Sequence, residues 1–100
     1  MDRIRLFKES LQNSSPENTL SPVLKSLWYD GKGDWNRAHA EVDDLGDREA
    51  AWVHAYLHRK EGDIWNADYW YTKAKKDRPS ISLEEEWENL VQYFLRGYKN

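Results

Sequence analysis

Two histidines one helical turn apart are the residues of this chain best suited to chemistry. His54 and His58 are four residues apart, so on an α-helix both imidazoles project from one face, with Glu61 close by. Two imidazoles at this spacing can hold a zinc ion. A third ligand would come from Glu61 or from His39, the chain's other histidine. The simpler interpretation is that His54 and His58 are core or hydrogen-bonded side chains, and we expect no cofactor.

The remaining polar residues indicate no reaction centre. The sequence contains no cysteine, no Ser/His/Asp arrangement and no glycine-rich loop of the kind that cradles a phosphate. The acidic runs at 41–47 and 84–86 are typical of solvated surfaces and helix starts. We therefore predict a protein that is not an enzyme.

The segment that must position the histidines, residues 50–79, has the pattern of two helices joined by a tight turn. No glycine or proline occurs from Ala50 to Glu61, and Gly62 is suited to end that first helix. The second helix is expected from Ile64 to about Lys76, because Pro79 follows, where a helix cannot easily continue.

The chain also contains an internal repeat with an offset of 29 residues. Residues 33–38 (GDWNRA) align with residues 62–67 (GDIWNA), and 62 − 33 = 29. Each aligned segment contains a turn followed by the start of a helix. A period of this size marks supersecondary units that stack on one another.

These residues resemble the tetratricopeptide repeat. In the second unit, the residues that match that family's pattern are Ala55, Gly62, Asp63, Ala67, Tyr71, Ala74 and Pro79. In the first unit they are Tyr29, Gly33, Asp34 and Ala38. The chain is also similar to short bacterial proteins of this repeat type. The resemblance implies an all-α stack of five to six short antiparallel helices, with units at about 21–49 and 50–79.

Further helices complete a predicted single domain of residues 1–100. Residues 2–11 form a short helix, residues 22–31 form a second, and the helix that starts after Asp34 ends near Leu45-Gly46. A last helix at about 83–97 starts with a capping box and is expected to cap the stack. Its apolar stripe comprises Leu83, Trp87, Leu90, Val91, Phe94, Leu95 and Tyr98.

Two aromatic surfaces are candidate binding sites. Trp52, Tyr56 and Arg59 lie on the strip that lines the concave groove in tetratricopeptide repeats, which binds extended peptides or partner helices. Alternatively, the N-terminal segment or the last helix fills this strip. Trp65 and Tyr69 lie one turn apart on a face that we expect to point outward. Exposed paired aromatics favour an interface, for example in a homodimer, unless the N-terminal helix covers them.

Composition narrows the classes of function. The net charge of −3 and the isoelectric point of about 5.6 argue against a nucleic-acid-binding protein. The N-terminus has no long apolar run, so we expect neither a signal peptide nor a membrane helix, and a chain without cysteine is compatible with the cytoplasm. We predict a cytoplasmic module that binds a polypeptide. The alternatives are a metal-binding protein or metal-dependent enzyme using His54 and His58, and a self-associating structural protein.

Overall fold

The computed structural model describes residues 2–96, and this part of the chain forms six α-helices and no strand. The helices are α1 (Arg3–Ser10), α2 (Pro22–Gly31), α3 (Trp35–Val42), α4 (Arg48–Lys60), α5 (Ile64–Ala74) and α6 (Leu83–Arg96). The predicted all-α fold of five to six short helices is confirmed. Gly97 and Tyr98, predicted at the end of the last helix, lie outside the described residues.

The helices pack as two neighbouring pairs, with α1 and α6 in contact with each other beside them. Helix α2 packs against α3, α4 packs against α5, and α3 joins the pairs through its contact with α4. Helix α6 packs against α1, α2 and α4 and thereby covers one side of both pairs. None of the helices described between residues 2 and 96 is both long and apolar enough to cross a membrane.

Short polar side chains start the helices that position the candidate site. The carboxylate of Asp47 accepts a hydrogen bond from the backbone N–H of Ala50 at the start of α4. Asp63 does the same for Asn66 at the start of α5. These contacts satisfy N–H groups that have no partner within the helix, so the predicted caps are confirmed.

Two helices end earlier than the sequence predicts. Helix α3 ends at Val42, and the backbone N–H of Leu45 bonds the Val42 carbonyl in a turn. The carboxylates of Asp43 and Asp44 disfavour further helix, because they lie at the negative end of the helix dipole. Helix α5 ends at Ala74, because Lys75 adopts the left-handed conformation at φ 58° and ψ 42°.

Helices α4 and α5 approach closely because small residues face each other between them. Ala55 of α4 and Ala67 of α5 are fully buried and form a small cluster with Tyr71. The turn between the helices depends on Gly62, whose φ of +91° is accessible to glycine at no steric cost. This tight pairing fixes the orientation of α4, and therefore of both of its histidines.

Candidate functional site

All three histidines of the chain converge where α3, α4 and α5 meet. His54 and His58 lie on α4 and His39 lies on α3. The Nε2 atoms of His54 and His39 are 2.8 Å apart. One ligand atom from each of the three rings lies within 4.8 Å of the other two. The structure therefore brings His39 to the pair of histidines that the sequence singles out.

Aromatic rings enclose this histidine cluster (His39, His54 and His58). Trp35 stacks on His39 with ring centroids 4.9 Å apart, and Trp70 stacks on His54 at 4.0 Å. His54 and His58 are 5% and 8% exposed, whereas the side chain of His39 is 25% exposed. The cluster is therefore closed on the α4 side and reaches solvent at His39.

Carboxylates lie behind two of the three rings. The Nδ1 atom of His58 is 2.7 Å from Oε2 of Glu61, and Nδ1 of His39 is 3.6 Å from Oδ2 of Asp43. Because a carboxylate accepts hydrogen bonds, Glu61 favours the tautomer of His58 with the proton on Nδ1. Asp43 is too far from His39 for a hydrogen bond, but its negative charge favours the proton of His39 on Nδ1 as well. The Nε2 lone pairs of both rings are then free to accept. In that arrangement Nε2 of His54 donates to Nε2 of His39.

The rings of His54 and His39 are held in their uncharged form. Burial, with smaller contributions from the nearby rings of His39 and His58, lowers the pKa of His54 to about 4. Burial also lowers the pKa of His39 from its ordinary value, with a smaller contribution from His58. At neutral pH these imidazoles therefore offer lone pairs, as a metal ligand must.

Helix α6 covers the strip that the sequence predicts as a peptide groove. Tyr56 is 1% exposed, and its hydroxyl donates a 2.6 Å hydrogen bond to Oδ2 of Asp30. The guanidinium of Arg59 donates to Oε1 of Glu86 at 2.6 Å. The contacts of Tyr56 and Arg59 are thus internal to this chain, to α2 and α6 respectively.

Trp52, the third residue of that strip, is partly buried. Its ring packs edge-on against Tyr93 and Phe94 of α6, with ring centroids 5.0 Å and 5.8 Å away. The ammonium of Lys76 lies 4.3 Å from the Trp52 ring centroid. The Trp52 ring thus packs against α6, as in the alternative in which the last helix fills this strip.

The sequence interpretation did not predict that one acidic residue, Glu86, is buried. Glu86 is 3% exposed, although it belongs to the run 84–86 that we expected to be solvated. It accepts hydrogen bonds from Arg59 and from the hydroxyl of Tyr71. Its position in the sequence could have predicted this burial. Glu86 precedes Leu90 by four residues and so lies on the apolar face of α6.

Trp65 and Tyr69 point outward from α5, as the sequence predicts. Their side chains are 78% and 48% exposed, and the two rings stack with centroids 6.4 Å apart and planes inclined by 9°. The alternative, in which the N-terminal helix covers this pair, does not hold because α1 packs against α6. The pair therefore forms an exposed aromatic surface on α5.

The chain matches no protein-family model, no curated protein and no solved structure. The resemblance to tetratricopeptide repeats therefore stays a prediction, and the geometry of these side chains is the basis for the function proposed next.

Proposed function

We propose that this protein binds a divalent transition-metal ion through the imidazoles of His39, His54 and His58, without catalysing a reaction. The observation that supports this proposal is the convergence of all three histidines, with one ligand atom of each within 4.8 Å of the others. The histidines come from two helices, α3 and α4. A bound ion would therefore cross-link the two helix pairs of the fold.

The donor set favours particular metals. Imidazole nitrogens suit zinc, copper, nickel and cobalt, whereas magnesium and calcium prefer oxygen ligands. In a tetrahedral zinc site the nitrogen atoms are about 3.4 Å apart, since each lies about 2.0–2.1 Å from the ion. The Nε2 atoms of His39 and His54 are 2.8 Å apart. They would need to separate by about half an ångström, a shift that small side-chain rotations provide.

The carboxylates behind the rings support the same proposal. Nδ1 of His58 donates to Glu61, and Asp43 lies 3.6 Å from Nδ1 of His39, so both carboxylates favour a proton on Nδ1 and leave the lone pair on Nε2. Such carboxylate contacts orient metal-binding histidines and increase their basicity. For His54 to bind through Nε2, its proton must move to Nδ1, which leaves the ring neutral.

Metal analysis of untagged protein tests the proposal. After dialysis against a small excess of Zn²⁺ and removal of free metal, we expect one zinc per chain by mass spectrometry. With Co²⁺, we expect the visible absorption of a tetrahedral nitrogen-ligated site. The variants His39→Gln and His54→Gln should lose both signals, and Asp44→Asn, which changes an exposed carboxylate outside the cluster, should keep them. A wild-type protein that retains no zinc would overturn the proposal.

An interaction module that binds a polypeptide is the second candidate function, and the exposed aromatic pair on α5 favours it. Trp65 and Tyr69 are of the residue types that dominate binding energy at protein interfaces. The contact surface is then the outer side of α5, since Trp52, Tyr56 and Arg59 pack inside the chain. We also propose a cytoplasmic location, on the ground that a chain without cysteine forms no disulfide.

A further inference from the structure

The outer side of α5 combines aromatic rings with a cation. Trp65 is 78% exposed, Tyr69 is 48% exposed and Ile64 is 39% exposed. The ammonium of Lys73 lies 5.5 Å from the Tyr69 ring centroid and 5.7 Å from that of Trp70. Trp65, Tyr69 and Lys73 follow one another at intervals of four residues, so they form one row along the helix.

The two ends of α5 carry opposite charges. Glu61 and Asp63 lie at its N-terminal end, whereas Lys73 and Lys75 lie at its C-terminal end. These charges complement the helix dipole, which is positive at the N-terminus and negative at the C-terminus. Two such helices attract each other when they lie antiparallel, because each basic end then meets an acidic end. A parallel pair would place like charges together.

We propose that this face binds a second copy of the chain, as a two-fold antiparallel pair of α5 helices centred on Tyr69. Trp65 and Lys73 each lie four residues from Tyr69, so a two-fold axis through Tyr69 places Trp65 opposite the partner's Lys73. An ammonium group over an indole ring is a favourable cation–π contact. Asp63 and Lys75 each lie six residues from Tyr69, so Asp63 and the partner's Lys75 lie at the same level along the pair, where their opposite charges attract.

This arrangement satisfies the requirements of a symmetric interface. A two-fold contact needs one surface that is complementary to itself. Every contact between two residues then forms twice, once in each direction between the copies. The row Trp65–Tyr69–Lys73 has this property, because the aromatic end of one copy meets the cationic end of the other. The inference names the partner of the second candidate function and does not depend on metal binding.

Sedimentation of the metal-free protein over a range of concentrations tests the association. We expect the apparent mass to rise from the 12.0 kDa of one chain towards twice that value as the concentration increases. Trp65→Ser should raise the dissociation constant at least about tenfold, because tryptophan is one of the residues that contribute most to binding at interfaces. Leu6→Ser is the matched control, because it removes an apolar side chain of α1 that is 43% exposed. A wild-type chain that stays monomeric would overturn the inference.

Single cysteines test the orientation, since the natural chain contains none. In the antiparallel pair, Tyr69→Cys places both thiols at the two-fold axis, so oxidation should yield a disulfide-linked dimer. Thr72→Cys should not, because the two cysteines would then be offset along the helix axis by about 9 Å. Efficient cross-linking at both positions would indicate a parallel pair and contradict the proposal. A monomer whose α5 face captures a different polypeptide would contradict it as well, while leaving the interaction module intact.

Discussion

The Nε2 atoms of His39 and His54 lie 2.8 Å apart, although 15 residues separate the two histidines in the sequence. At this distance one nitrogen carries a proton and the other accepts it, because two N–H groups would repel each other. The contact joins α3 to α4, and thus one helix pair to the next. A metal ion would replace the shared proton and make the same connection with stronger bonds.

Zinc should stabilise the folded protein. Because the three imidazoles come together only in the folded chain, an ion bound to them favours folding. At a free zinc concentration of about 100 times the dissociation constant, the stabilisation is about 2.7 kcal/mol. For a domain of this size we expect a rise in Tm of about 10 °C or more. Differential scanning calorimetry of wild type and His39→Gln, each with and without zinc, measures the effect, and an equal rise in both proteins would contradict it.

Glu61→Gln should weaken metal binding without unfolding the protein. The carboxylate of Glu61 holds the proton on Nδ1 of His58, and its side chain is 37% exposed. Removing such a contact typically costs a factor of about 10 to 100 in metal affinity. Competition with a chromophoric zinc chelator gives the dissociation constant. Glu41→Gln on α3 is the control, and an unchanged affinity in Glu61→Gln would remove the role that we assign to this residue.

The metal-free protein should lose stability as the pH falls from about 6.5 towards 4. The pKa of His54 is about 4 in the folded state, compared with 6.5 for a free histidine, so the unfolded chain binds a proton more readily. The stabilisation is complete above pH 6.5 and disappears as the pH approaches 4. The lowered pKa corresponds to a loss of at most about 3 to 4 kcal/mol in the free energy of unfolding.

Urea unfolding of wild type and His54→Gln at several pH values isolates this contribution. The charged and titratable groups beside the ring, His39, His58 and Asp43, remain in both proteins. The difference in unfolding free energy between the two proteins should therefore shrink on acidification. A difference that does not depend on pH would contradict the assignment to His54.

Glu86→Gln should destabilise the fold strongly. The side chains of Glu86 and Arg59 are 4% and 15% exposed, so loss of the carboxylate charge leaves the Arg59 cation without its partner. Breaking a buried ion pair in this way costs about 3–5 kcal/mol. The exposed neighbour Glu84 provides the control, since Glu84→Gln should change the unfolding free energy by less than about 0.5 kcal/mol. Equal effects of the two substitutions in urea unfolding would show that Glu86 is solvated.

The helices and their caps could be predicted because their signals are local. Asp47 and Asp63 each act on a backbone N–H three residues further along the chain. Gly62 ends its helix through its own φ angle. Such interactions can be predicted from neighbouring residues alone. The end of α5 at Lys75 was missed, since a lysine in the left-handed conformation has no sequence signal comparable to that of glycine.

The candidate site could be predicted only in part, because its assembly depends on contacts between distant segments. The spacing of His54 and His58 was visible, and His39 was one of two options for a third ligand. The choice between them follows from how α3 packs against α4. Likewise, an apolar stripe on α6 and an aromatic strip on α4 were both visible in the sequence. Nothing in either pattern shows that one covers the other.

The stacking of Trp70 on His54 and of Trp35 on His39 has an optical consequence. A protonated imidazole in contact with an indole ring quenches its fluorescence by electron transfer, and a bound Cu²⁺ ion quenches it as well. Two of the six tryptophans of this chain touch the histidine cluster in this way. The charge state of the cluster can therefore be followed by the protein's own emission, without a label.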